Sequence, residues 1–237
     1  KSDFFRLCGG SLGGKARGLA FARSMIKQSG IEEEFEDVTI RVPDCAVVGT
    51  HEFDQFMKDN QLWQKTLKIA DKNKLEKAFK KARLSIDLIL KLESFILDHK
   101  NPLAVRSSSL LEDSQYQPLA GSYKTIMLPN NSRSTKKRLN ELMIAIKSVF
   151  ASTFKGEAKS LLDSTGHRIE EEKMAVVIQE IVGQSYKSKR FYPTFSGVLK
   201  SINYYPVSYM KRDEGVAYLA LGFGRTIVDG EKCLRIS

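Results

Sequence analysis

A short apolar run, Leu103-Ala104-Val105, stands directly before Arg106 and three serines, followed by the acidic pair Glu112-Asp113 and then Ala120-Gly121. Such a run reads as a buried strand, so the chain has to build a sheet around it, with the arginine at the strand's carboxyl end. A guanidinium there, followed by hydroxyls and glycine, suits the paired hydrogen bonds that phosphate oxygens accept.

Around that strand the apolar spacing switches between helical and extended periods. Leu19, Ala22 and Ile26 predict a helix from about Lys15 to Gln28 that stops at Gly30. Strands are expected at Val38 to Val42 and Ala46 to Val48, broken by Pro43, and helices through much of His51 to Asp98. Beyond them the pattern predicts an extended segment from Tyr123 to Leu128, then helices at Thr135 to Phe150 and Phe154 to Asp163. Strands are expected at Met174 to Gln179, Gly197 to Tyr204 and Gly215 to Ala220. This irregular alternation predicts an α+β fold. No internal repeat or low-complexity linker marks a boundary within residues 1–237.

A second phosphate-like element, Gly9-Gly10-Ser11-Leu12-Gly13-Gly14-Lys15-Ala16, opens the first helix. Glycines let backbone N–H groups converge on an anion, the helix start adds a favourable dipole, and Lys15 adds a mobile cation. Its spacing fits a P-loop up to Lys15, but Ala16 stands where that motif needs a hydroxyl for magnesium, which argues against a P-loop NTPase.

The formal charge of +10 raises the question of a polyanionic partner. Half of the excess lies between Gln64 and Lys100, where ten Lys or Arg face five Asp or Glu. With Leu75, Phe79, Ala82, Ile86, Ile89 and Ile96 at helical steps, that segment reads as a long amphipathic helix or hairpin with a solvated basic side. Neither it nor the cluster Arg133 to Arg138 is interleaved with aromatics, which argues against a nucleic-acid platform. No apolar run approaches the roughly 18 residues that cross a bilayer. The scattered Cys8, Cys45 and Cys233 and His51, His99 and His167 form no metal-ligand or nucleophile–base spacing, so no metal site is assigned, and a reducing cytoplasm is expected. Lys1 stands where an initiator methionine is expected, so the start reads as a trimmed terminus.

Several ordered blocks resemble the nucleotide-binding domain of phosphoenolpyruvate synthase and pyruvate phosphate dikinase. They are Gly13-Gly14-Lys15 with Gly18-Leu19-Ala20, Ala104 to Ser109 with Glu112-Asp113, Ala120-Gly121 and Thr125, Met174 to Val182, Ser196-Gly197-Val198, and Leu221 to Gly224 with Val228-Asp229-Gly230. The resemblance implies an ATP-grasp-like, two-lobed nucleotide-binding domain with a helical insertion between about residues 50 and 100. It further implies a kinase-type phosphotransferase that splits ATP and passes a phosphoryl group, through a histidine in another domain, to pyruvate or another small acceptor. In that reading Lys15 and Arg106 are the catalytic phosphate contacts. Gly121, Ser122 and Thr125 form a strap over the phosphates, and Gln179, Glu180 and Val182 run past the adenine, where backbone groups read the base edge. The family's glutamines after the strap glycine are replaced here by Ser122-Tyr123-Lys124, and Arg225 replaces a glutamate. Mg²⁺ is implied with its acidic ligands beyond Ser237, as are phosphohistidine and pyruvate-binding domains, so the chain reads as a C-terminally incomplete piece of a longer protein. A rival reading from a different class is a non-catalytic nucleotide-sensing module.

Overall fold

The computed structural model describes residues 4–69, 71–109, 123–154, 173–187 and 190–237. They fall into two compact units, Lys1–Ile181 and Val182–Ser237. The first is built on strands β1 (Phe4–Arg6), β2 (Cys45–Val48), β3 (Leu103–Ser109), β4 (Thr125–Leu128) and β5 (Met174–Glu180), in the order β1-β2-β5-β3-β4. β1 runs parallel to β2 and the other neighbours are antiparallel, giving a mixed sheet with helices, consistent with the α+β expectation.

Register divides the strand residues between two faces, because successive side chains alternate. Val105, Ile178 and Ala46 point one way, onto α2 (Thr50–Asp59), α3 (Leu62–Lys68), α4 (Lys72–Lys81), α5 (Ile86–Asp98) and α6 (Thr135–Ser152). Phe53, Phe56, Phe79 and Phe150 are almost wholly buried there, with Phe150 5.2 Å from Phe53 and 5.4 Å from Phe56. Each such burial contributes roughly 2–3 kcal/mol. Val47 and Val177 point the other way and are covered by α1 (Gly13–Ser29) through Ala16, Leu12 and Leu19.

Three expectations are corrected. β3 does not end at Arg106: Ser107, Ser108 and Ser109 continue it, paired with Val176, Ala175 and Met174 and almost fully buried. The basic segment is not one long helix or hairpin, because side-chain caps restart it. Asp71 accepts from the N–H groups of Asn73 and Lys74, and Ser85 from that of Leu88. The restart shifts the apolar phase, so Ile86 is exposed while Leu88, Leu92 and Ile96 are buried. Val38 to Val42 form no strand: Val38 is exposed, Pro43 lacks a donor, and β1 already occupies the outer edge of β2.

The second unit holds the short pair β6 (Gln184–Ser185) and β7 (Phe191–Tyr192) and an antiparallel sheet β10-β9-β8, with β8 Phe195–Lys200, β9 Val216–Leu221 and β10 Leu234–Ile236. One face of that sheet is apolar, with Phe195, Leu199, Leu221 and Leu234 all exposed. Among the described residues no helix is long and apolar enough to cross a membrane.

Candidate functional site

Arg106 lies in mid-strand, opposite Thr125 on β4 and Val177 on β5. These residues share the face that α1 covers in part. Gln179, two residues beyond Val177, is on the same face, and its Oε1 accepts from Arg106 Nη1 at 3.3 Å. The exposed Thr125, the half-buried Arg106 and the half-buried Gln179 therefore form one polar group across three adjacent strands.

Helix α1 is fixed beside them by Ser108. Its Oγ accepts from the Ala16 N–H at 3.1 Å and donates to the Leu12 carbonyl at 2.8 Å, so a strand hydroxyl satisfies one of the helix's first-turn donors. Gly13 makes this approach feasible. A Cβ there would stand 1.7 Å from the Ser108 carbonyl oxygen, and its φ of +73° suits glycine. Gly10 similarly lies against Thr50 and His51, where a Cβ would meet Thr50 Oγ1 at 2.5 Å. Close packing thus accounts for two glycines of a loop that the sequence suggested as an anion cradle.

Lys15 sits in the first turn of α1, on the helix that lies over the Arg106 face, and its Nζ is shielded from solvent. The helix carries Lys15, Arg17, Arg23 and Lys27 and no carboxylate. The strand positions of this face carry Arg6 and Arg106, again without a carboxylate. Arg6 braces the glycine loop by donating to the Cys8 and Gly10 carbonyls. The strand groups of this face are thus cations, a hydroxyl and an amide, chemistry that favours phosphate.

Other expected contacts are placed differently. Glu180 points to the opposite face from Gln179 and accepts from Asn101 Nδ2. Two backbone donors of this stretch are engaged elsewhere, since Glu180 N–H goes to the Asp44 carbonyl and Ile181 N–H to the Pro102 carbonyl, both at 2.9 Å. A strand flanked by neighbours on both sides spends its donors there. Val182 opens the second unit and is exposed. Gly121 and Ser122, with Glu112 and Asp113, lie outside the described residues. Ser108, the residue joining helix to sheet, was visible only as one of three serines.

Residues 10–233 match the family described as the pyruvate phosphate dikinase AMP/ATP-binding domain. The chain belongs to that family. The resemblance read from its sequence blocks is thereby confirmed. This dikinase-family ATP-binding domain is similar to the uncharacterized phosphotransferase YvkC of Bacillus subtilis (strain 168), at 28% identity over 192 residues, covering 80% of this chain. The matched stretch is 20% of YvkC, so the chain spans about a fifth of that relative's length.

Proposed function

We propose that this domain binds ATP in the ATP-grasp manner and serves a dikinase-like phosphotransferase. ATP would be split to AMP, with one phosphoryl group carried by a histidine of another domain to pyruvate or a similar small acceptor and the other passed to water as inorganic phosphate. The observation that carries this reading is the shared sheet face on which Arg106, Thr125 and Gln179 stand beside the helix bearing Lys15. Arg106 would hold phosphate oxygens with a planar pair of donors, and Lys15 would neutralise charge on the transferring group, so that the protein acts mainly by positioning and electrostatics. The chain from Gln179 to Val182 would run past the base. With the Glu180 and Ile181 donors taken, recognition there would fall to the Val182 N–H, the backbone carbonyls and apolar contact. Gly121 and Ser122 would complete a strap with Thr125.

Magnesium does not fit the donors described. The Arg106 face presents cations, hydroxyls and an amide, and the described residues hold no cluster of three His, Cys, Asp or Glu. A reducing, cytoplasmic setting would suit the scattered Cys8, Cys45 and Cys233.

Isotope exchange between ATP and AMP in the full-length parent tests the proposal. Sustained exchange is expected. Tight ATP binding with no exchange would replace it with the nucleotide-sensing reading.

A further inference from the structure

The basic helical segment contributes nothing to the Arg106 face, yet it builds a site of its own. A cavity of about 440 Å³ opens beside α4, lined by Lys74, Lys77, Ala78 and Lys81 from that helix and by Lys65 from α3. Its volume is in the range of small-molecule sites. Lys74, Lys77 and Lys81 recur at steps of three and four, so they stand in one stripe about 10 Å long. Like charges at these spacings destabilise a helix unless something of opposite sign offsets them.

The neighbouring carboxylates are otherwise engaged. Glu76 receives Lys80 at 2.8 Å and Lys124 at 3.0 Å. Asp71, which lies within electrostatic reach of Lys74 and Lys77, accepts from the first N–H groups of α4, and these bonds hold its carboxyl below its usual range. Among the described ion pairs, none includes Lys65, Lys74, Lys77 or Lys81.

The frame around the cavity is also built. Lys65 Nζ is held by the Asn60 carbonyl at 3.2 Å. The Asn60 side chain is locked in turn, accepting from the Arg83 N–H and donating to the Arg83 and Phe56 carbonyls, each at 2.9 Å. The carbonyls that end α4 would repel an anion, but Lys147 covers those of Lys80 and Ala82 at 2.7 and 3.2 Å. No aromatic lines the cavity, so it offers no platform for stacked bases.

We propose that this cavity is a second anion site, separate from the Arg106 face, that takes a small molecule bearing two or more phosphoryl groups. Four lysines converge on a space too small for a duplex and too poor in aromatics for a single strand.

The test is lysine footprinting of the intact chain by acetylation and mass spectrometry, with inorganic tripolyphosphate as the probe. Protection of Lys65, Lys74, Lys77 and Lys81, with Lys68 and Lys72 unaffected, is the expected result. Protection of Lys65, Lys74, Lys77 and Lys81 that persists in Arg106→Gln reads this cavity separately from the Arg106 face, so failure of one site is distinguishable from failure of the other. Lys77→Gln combined with Lys81→Gln should weaken tripolyphosphate at the cavity about tenfold, from roughly threefold per exposed cation. Both side chains are exposed, so the fold should survive the change. Equal protection by sodium chloride at matched ionic strength, no protection at all, or stronger protection by a single-stranded oligonucleotide would each overturn the proposal.

Discussion

Ser108→Ala removes the hydroxyl that joins α1 to β3, and its cost follows from what that oxygen does. The side chain is fully buried, accepts from the Ala16 N–H at 3.1 Å and donates to the Leu12 carbonyl at 2.8 Å. The two partners are also the first i→i−4 pair of α1, so the Ala16 N–H can close on the Leu12 carbonyl once the hydroxyl is gone and no donor is stranded. At about 1 kcal/mol per lost bond, the cost should be about 1–2 kcal/mol. With an m-value of about 3 kcal/mol/M, the urea midpoint of the first unit should fall by roughly 0.3–0.7 M. Ser148→Ala is the control. Its buried hydroxyl donates to the Ile144 carbonyl within α6, which keeps its own helical bond, so the change should stay below about 0.5 kcal/mol. If the two variants unfold at the same urea concentration, Ser108 does not anchor the helix and the reasoning fails.

Three further outcomes follow from buried polar groups. Arg138 Nη1 donates to the carbonyls of Ile96 and His99 at the end of α5, so Arg138→Ala should destabilise by about 3 kcal/mol in urea unfolding, and a near-neutral result would refute the capping role. Cys45 is fully buried, and burial pushes its thiol up to about 11. At pH 8 roughly one molecule in a thousand is thiolate, so mass spectrometry should find Cys45 unalkylated by iodoacetamide until the chain unfolds. Burial also raises the Glu52 carboxyl above 4.5, against the lowering effect of its Ser85 donors. A raised folded pKa gives stability present below pH 4.5 and lost as pH rises through the folded value, so the advantage of Glu52→Gln over the native protein should grow from pH 4.5 to pH 7. An advantage that shrinks over that range would contradict the assignment.

How much was legible in the residues depended on whether local signals agreed with tertiary ones. Leu139, Leu142, Ile146 and Val149 share one stripe, and all four are buried on α6 as their spacing implies. Met174 to Ile178 reads as a buried strand and lies at the heart of the sheet. Ile86 misleads because Ser85 caps a new helix and resets the phase, an event that apolar spacing alone does not reveal. The serines after Arg106 read as a loop because they are polar. They continue the strand because Ser108 is satisfied by the start of α1, a partner 92 residues away. For the candidate site, the two cations were nameable from short motifs, but the grouping of Arg106 with Gln179 required register. Arg106, Val177 and Gln179 meet only through antiparallel pairing of distant segments.

The central claim is that Lys15 and Arg106 serve the same phosphate chain. Calorimetric titration of ATP and of adenosine into the native protein, Lys15→Gln and Arg106→Gln tests it most directly, with thermal unfolding followed in parallel. The account predicts that each substitution weakens ATP at least about tenfold through a lost charge-assisted contact, leaves adenosine affinity unchanged and barely moves the unfolding temperature. Unchanged ATP affinity in either variant, or an equal loss for adenosine, would contradict it.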